Sequence, residues 1–148
     1  MTIKQVSVFL ENKTGRINEV TKTLSQHGIN MQAFSMAETP DFGILRLIVS
    51  DVDKAVEILR SADFAVMLTD VILLHCPNKA GALGEILEQL AVADVAIEYM
   101  YAFAEGDMAN IVVQSDSQLQ TAQLAQINAV VYEQAGIEPI NITIVAKG

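Results

Sequence analysis

A four-residue pattern, Asn-Lys-x-Gly, occurs twice in the chain and has the chemistry best suited to binding a small molecule. It stands at Asn12–Gly15 and again, 66 residues later, at Asn78–Gly81. An asparagine side chain both donates and accepts hydrogen bonds, as recognition of an ammonium and a carboxylate group requires. Because glycine lacks a Cβ atom, a ligand can approach its backbone closely. The repeat therefore indicates either two ligand-binding loops or two strand–helix turns in which glycine permits the turn and asparagine caps locally.

Residues suited to catalysis or metal binding are sparse. His75 and Cys76 are neighbours in a predicted strand, where successive side chains point to opposite faces, so we do not expect them to share a metal ion. His27 is expected at a helix end, where it would interact with free carbonyl groups. No nucleophile has an evident partner base. We therefore predict no catalytic residue, no metal site, no cofactor and no enzymatic activity.

The first pattern lies between a predicted strand and a predicted helix. The strand is Ile3–Leu10, and after Gly15 a helix with apolar residues at helical spacing extends towards Gly28. The elements expected after that helix are strands at Asn30–Ala37 and Gly43–Ser50, a helix at Val52–Ser61 and a strand at Phe64–Leu68.

The second pattern lies in the same context. The elements expected around it are a strand at Val71–Cys76, a helix after Gly81, strands near Val95–Phe103 and Ala109–Gln114, a helix of about Gln118–Gln134 and a strand near Ile140–Val145. Each copy has the order βαββαβ, which predicts an antiparallel sheet with both helices on one face. The expected fold class is α+β, with ferredoxin-like domains at 1–68 and 69–148.

The loop residues, with Gly28-Ile29-Asn30 at the end of the first helix, make each copy resemble the ACT domain. That resemblance implies amino-acid binding at the strand–helix loop near the inter-domain interface. It places Asn30 beside a ligand held at an inter-domain edge. The candidate ligand-binding residues are Asn12, Gly15, Arg16, Ile17, Asn30, Met31, Asn78, Gly81, Ala82 and Leu83.

The second copy departs from this pattern at two positions. Ala96 stands where the first copy has Asn30, and Asp94 replaces Gly28. We therefore expect the first loop to be the better site.

Charge and hydropathy limit the partners. The net charge is −9, with two basic and ten acidic residues in 70–148, so no basic surface for nucleic acid is expected. No apolar stretch approaches membrane-spanning length, and we expect a cytoplasmic protein. The sheet face away from the helices is expected to be exposed and apolar, which predicts a homodimer or docking on a metabolic enzyme. Its residues are Phe9, Val71, Leu73, Tyr99 and Tyr101.

Three functions remain open from the sequence. The leading one is a non-catalytic regulatory module that binds an amino acid. The alternative is a structural or regulatory subunit that docks on a separate metabolic enzyme without binding a ligand itself. A small enzyme whose site is assembled between chains is a third possibility.

Overall fold

The computed structural model describes residues 3–115, in which six strands and three helices are found. Contacts divide the chain into two compact units. One unit is Lys4–Thr69, and the main part of the other begins at Asp70. No helix within residues 3–115 has the length and apolar character needed to span a membrane. The helix predicted at Gln118–Gln134 and the strand predicted near Ile140–Val145 lie outside the described residues.

The first unit is built on an antiparallel sheet in which the third strand pairs with both the first and the second. Leu47 of the third strand lies opposite Val6 of the first strand on one side and opposite Phe34 of the second strand on the other. The elements are β1 (Ile3–Glu11), α1 (Arg16–Gln26), β2 (Met31–Glu38), β3 (Phe42–Val49), α2 (Val52–Ser61) and the start of β4 (Ala65–Pro77). Together they complete the predicted βαββαβ order.

Both helices of this unit pack on the same face of the sheet, as predicted. Helix α1 buries Val20 and Leu24, and α2 buries Ala55, Val56 and Leu59, in one apolar cluster. The strand residues in that cluster are Val6, Val8, Leu10, Leu45, Leu47 and Val49. They alternate along their strands, so one face of each strand supplies the core.

The second unit repeats the first part of this arrangement. Its elements are the second part of β4, α3 (Ala82–Val92), β5 (Ile97–Glu105) and β6 (Met108–Ser115). Strand β6 pairs antiparallel with both β4 and β5, as β3 does with its neighbours. Ile86 and Leu90 of α3 pack against Ile72, Leu74 and Ile111 of the sheet. The α+β, ferredoxin-like fold class is confirmed.

One boundary differs from the sequence prediction. Separate strands were predicted at Phe64–Leu68 and Val71–Cys76, but β4 is a single strand over Ala65–Pro77. The intervening Thr69-Asp70 contains neither glycine nor proline, so nothing in it forces the backbone out of an extended conformation.

The expectation of a fully exposed apolar face opposite the helices is also corrected. Val71 is completely buried, and Phe9, Leu73, Tyr99 and Tyr101 are partly buried. Gln5 and Ser7 alternate with the core residues of β1, so they share the face of Phe9, and both are buried. Val71 is therefore not available to a partner, whereas the other four side chains are partly exposed, and the homodimer stays a prediction.

Candidate functional site

The first loop turns sharply between β1 and α1. The Lys13 N–H donates to the Glu11 carbonyl at 2.7 Å, and the Arg16 N–H donates to the Lys13 carbonyl at 3.3 Å. Gly15 is the N-cap of α1 and has a φ of 88°, in the left-handed region. Glycine adopts this conformation at little cost, which explains its place in the pattern.

The second loop has the same backbone hydrogen bonds. The Lys79 N–H donates to the Pro77 carbonyl at 2.9 Å, and the Ala82 N–H donates to the Lys79 carbonyl at 3.3 Å. Gly81 is the N-cap of α3 with a φ of 90°. The Asn78 N–H also donates to the Asp107 carbonyl at 2.8 Å. The repeated tetrapeptide therefore builds the same turn twice.

Both loops leave the start of the following helix open. A Cβ atom added to Gly15 or Gly81 would meet nothing within 4 Å. Neither glycine can cap its helix with a side chain, whereas the Asp51 carboxylate accepts a hydrogen bond from the Lys54 N–H at the start of α2. The first backbone N–H groups of a helix carry partial positive charge and can bind an anion. A carboxylate therefore fits at α1 and α3.

The side chains around the two loops are mostly accessible. Asn12 and Asn78 are exposed, and Ile17 and Leu83, at equivalent positions, are each 42% exposed. Each loop thus combines an amide side chain, a helix start without a side-chain cap and one apolar side chain that a ligand can contact.

Arg16 and Ala82 occupy equivalent positions but have different surroundings. Ala82 is buried in the core of the second unit. The Arg16 guanidinium lies 4.7 Å from the centre of the Phe64 ring and pairs with the Glu19 carboxylate. The cation–π contact and the ion pair hold this side chain against α1 and against Phe64, the residue before β4. Arg16 therefore contributes backbone to the loop, while its guanidinium is engaged elsewhere.

Lys13 is engaged too. Its ammonium pairs with the Glu11 carboxylate at 2.7 Å. The hydrogen bond and charge of Lys13 lower the pKa of Glu11. The charged residues beside the first loop are thus largely neutralised by each other. The sequence analysis missed both pairs, although Glu11 and Lys13 are separated by one residue, and Arg16 and Glu19 have the i,i+3 spacing of helical ion pairs.

Asn30 and Met31 lie far from the first loop within their unit. Glu11 is level with Phe42 on β3, whereas Met31 is level with Val49. Seven strand residues separate those levels, or about 23 Å along the sheet. One small ligand therefore cannot contact both Asn12 and Asn30 of the same unit.

Asn30 instead borders a separate surface groove. Its backbone N–H donates to the Ser50 hydroxyl at 3.0 Å, and its carbonyl accepts from the Ser50 N–H at 3.0 Å. The groove, of about 410 Å³, is lined by Thr21, Lys22, Leu24, Ser25, Ile29, Asn30 and Met31.

The departure at Asp94 has a smaller effect on the backbone than expected. Asp94 has a φ of 58° and Gly28 a φ of 70°, so both lie in the left-handed region. After Gly28, the Ile29 N–H donates to the Leu24 carbonyl; after Asp94, the Val95 N–H donates to the Leu90 carbonyl. Both helices therefore end in the same Schellman motif. Asp94 does not by itself disqualify the second copy.

The histidines and the cysteine have ordinary structural surroundings. His27 is the C-cap of α1, and its Nδ1 lies 2.8 Å from the Thr23 carbonyl. Cys76 is buried in the second core, and burial raises the pKa of its thiol. His75, its neighbour in β4, is only partly buried. Residues 3–115 contain no group of three or more His, Cys, Asp or Glu side chains that could hold a metal ion.

Both units contain a strand, a glycine-capped helix and two antiparallel strands, and they therefore define an α+β class of domain with a loop at the helix start. Comparison with protein families gives the particular family. The chain belongs to the family described as an ACT domain pair, which matches residues 1–136. The resemblance stated from the sequence is confirmed.

Solved structures with this fold include protein BT0572 from Bacteroides thetaiotaomicron. It is 42% identical, with a TM-score of 0.79, covering 99% of this chain and 93% of that one. The ligand-free regulatory subunit of aspartate kinase from Thermus thermophilus is 14% identical, with a TM-score of 0.63 and coverage of 90% and 92%. The Thermus flavus subunit is 12% identical, with a TM-score of 0.65 and coverage of 93% and 94%. At these identities the two subunits show similarity of fold alone. No curated protein matches the sequence.

Proposed function

We propose that this protein is a non-catalytic regulatory protein that binds an amino acid at its strand–helix loops. The observation that carries the proposal is the pair of glycine N-caps, Gly15 and Gly81. Both have a positive φ, and both leave open space at the start of a helix.

The chemistry of the loops fits the main chain of an amino acid. The carboxylate would accept hydrogen bonds from the first N–H groups of α1 or α3. The carbonyl oxygen of the Asn12 or Asn78 side chain would accept from the ammonium group. Ile17 or Leu83, each 42% exposed, would contact an apolar side chain of the ligand.

The regulatory part of the proposal draws support from the family. Two proteins of similar fold are named as regulatory subunits of aspartate kinase. By analogy, the partner of this protein would be a metabolic enzyme. The homodimer stays a prediction from the sequence. We place the protein in the cytoplasm, where a free thiol such as Cys76 stays reduced.

Docking on an enzyme without binding a ligand is the second candidate. Apolar side chains exposed on the first unit favour it, since they could contact a partner. Phe34 is 66% exposed and Met36 is 43% exposed, both on β2.

A thermal-shift screen against each of the twenty L-amino acids separates the two candidates. An amino acid present at 100 times its Kd should stabilise the protein by about 2.7 kcal/mol, visible as a rise in Tm. A rise with one amino acid or a related group supports the proposal. Roughly 10 to 20 mM is the highest practical concentration to test when the Kd is millimolar. If none of the twenty amino acids raises the Tm at that concentration, ligand-free docking is favoured.

A further inference from the structure

One flank of helix α3 is apolar although the core does not cover it. Leu83, Leu87 and Ala91 are spaced four residues apart, so they form a stripe along one side of the helix. Leu83 and Ala91 are exposed, and Leu87 is half-buried at the edge of the second core. In α1, Thr21 and Ser25 stand at the positions of Leu87 and Ala91. The same flank is therefore polar in the first unit and apolar in the second.

The helix side of strand β5 is apolar as well. Met100 lies opposite Val113, and Ala102 lies opposite Ile111, and both of these partners belong to the second core. Directly opposite residues of antiparallel strands point to the same face, so Met100 and Ala102 lie on the helix side of the sheet. Met100 is half-buried and Ala102 is exposed.

The repeated fold places the stripe of α3 beside the start of β5. In the first unit, the flank of α1 and Met31, at the start of β2, line one groove. Ile97 is equivalent to Met31 and is exposed at the start of β5. Because both helices end in the same Schellman motif, the stripe of α3 borders Ile97 in the same way. We call this continuous area the α3–β5 surface; its residues are Leu83, Leu87, Ala91, Ile97, Met100 and Ala102.

Acidic side chains surround the α3–β5 surface. Glu88 lies on the outer side of α3, Asp94 follows the helix, Glu98 follows Ile97 in β5, and all three are exposed. In the part of the chain that the structure describes, none of these three carboxylates forms an ion pair. Lys79 is the only lysine or arginine in the sequence from 70 to 115. The surface therefore complements a partner that is apolar on one side and positively charged around it.

The position of the apolar side chains favours a helix over a strand as the bound element. They lie on the helix side of the sheet, outside the plane in which an added strand would pair with β5. The register of β5 is also irregular between Ile97 and Tyr99, which interrupts the regular pairing that an added strand needs. Ala91 and Ala102 are small, so the backbone of a bound helix can approach closely. An amphipathic helix satisfies both the apolar stripe and the acidic surroundings.

We propose that the α3–β5 surface docks a basic amphipathic helix of a partner protein. The apolar side of that helix packs on the stripe of α3, and its lysine or arginine side chains pair with Glu88, Asp94 and Glu98. The existence of a separate partner rests on the regulatory part of the proposed function, but docking does not depend on amino-acid binding at the loops. The first unit does not offer the same site, because its flank is polar and Lys22 stands at the position of Glu88.

Amide NMR spectra of the full-length, ¹⁵N-labelled protein locate the binding of a model helix. The probe is a synthetic peptide of leucine and lysine, about 14 residues long, whose leucines recur at helical spacing along one side. We expect saturable shifts of the Ala91, Ile97 and Ala102 amides with a Kd below roughly 1 mM. The control is a peptide of the same composition in scrambled order, which keeps the charge but has no apolar side. It should bind at least about 5-fold more weakly.

Four results would overturn the proposal. They are equal binding of the two peptides, shifts confined to Phe34 and Met36 on β2, no shift at about 1 mM peptide, and concentration-dependent shifts of the same amides without peptide. The last result would show that a second copy of the chain occupies the surface. The thermal-shift screen tests amino-acid binding separately, so each of these results leaves that part of the proposed function standing.

Matched variants test the contacts of the α3–β5 surface. Ala91→Lys adds a long, positively charged side chain to the stripe and should weaken binding of the leucine–lysine peptide by at least about 5-fold. Ser25→Lys makes the same addition at the equivalent position of α1 and should leave the affinity unchanged. Equal effects of these two variants would contradict the location of the site.

A second pair of variants tests the acidic surroundings. Glu88→Gln should weaken peptide binding by about 1.4- to 5-fold, the effect of one exposed ion pair. Glu57→Gln, an exposed glutamate on α2, is the control for the change in net charge. If both glutamates have the same effect, the peptide responds only to net charge and the proposal is wrong.

Discussion

Within residues 3–115, the left-handed backbone conformation occurs at helix starts, after helix ends and, at Gly106, in the turn between β5 and β6. Gly15 and Gly81 adopt it at helix starts, where the absence of a side chain leaves room for a ligand. Asp63 and Asp94 adopt it after helix ends, with φ of 67° and 58°. A residue with a Cβ atom pays a conformational cost there, and a carboxylate at a helix C-terminus is also repelled by the helix dipole.

Replacing Asp94 with glycine is therefore expected to stabilise the protein. Asp94→Gly should raise the free energy of unfolding by about 1 kcal/mol, because glycine fits the left-handed conformation and removes the unfavourable charge. Urea unfolding measures the change. Gly28→Ala is the matched control and should lower stability by about 1 kcal/mol. A destabilised Asp94→Gly variant would show that the aspartate side chain makes a compensating contact.

The Cys76 thiol is expected to be unreactive in the folded protein. It is 2% exposed, and burial raises its pKa, so little thiolate forms at neutral pH. Because the folded-state pKa is raised, the stability contributed by the neutral thiol is present below its unfolded pKa and is lost as pH rises through the folded value. Mass spectrometry after iodoacetamide treatment at pH 7.5, a pH roughly one unit below the ordinary thiol pKa, should show alkylation only in denaturant. Rapid alkylation of native protein would contradict this burial.

At the scale of elements, the three helices within residues 3–115 begin in two different ways. Helix α2 has an Asp51 N-cap whose carboxylate accepts from the Lys54 N–H at 3.1 Å. Helices α1 and α3 begin at Gly15 and Gly81, which have no side chain to satisfy the first N–H groups. The two helices that carry the candidate sites thus begin without a side-chain cap.

This contrast predicts how α2 responds to loss of its cap. Asp51→Ala should destabilise the protein by about 1 kcal/mol, because the Lys54 N–H loses its acceptor. Asp53→Ala, in the first turn of the same helix, is the control and should cost about 0.5 kcal/mol or less. Chemical unfolding of both variants gives the comparison, and equal losses would show that Asp51 acts only through its charge.

Local patterns in the sequence predicted most elements well. The helix expected at Val52–Ser61 has those bounds, since an aspartate cap and apolar helical spacing both mark it. The repeated tetrapeptide predicted two similar loops because a glycine before a helix is a strong local signal. Both correct predictions rest on residues that are close to each other in the sequence.

The errors concern contacts between residues distant in sequence and a backbone conformation that is unusual for the residue type. The separation of Asn30 from Asn12 follows from strand register, which a single strand does not reveal. Asp94 in the left-handed region was missed because glycine is the usual signal for that conformation. The burial of Val71 depends on what covers its face of the sheet, which strand alternation alone does not show.

At the scale of the whole molecule, one fold has been used twice with different surface chemistry. Net charge also divides unevenly, because residues 1–69 hold seven basic and eight acidic residues, while 70–148 hold two and ten. Duplication of the fold explains the equivalent loops around Gly15 and Gly81, and a sequence difference beside them explains why Ala82 lies in the core while Arg16 pairs with Glu19. We therefore propose that function lies in the loops, on a scaffold that both units share.

Isothermal titration of the amino acid that gives the largest rise in Tm, into wild-type protein and into Gly15→Asp with Gly81→Asp, tests the central claim most directly. The added carboxylates would lie where the ligand carboxylate is proposed to bind. Gly28→Asp is the control, since it makes the same change at a left-handed glycine outside the loops. We predict saturable binding in wild type and in the control, and none in the double variant. Binding that survives in the folded double variant would contradict the account.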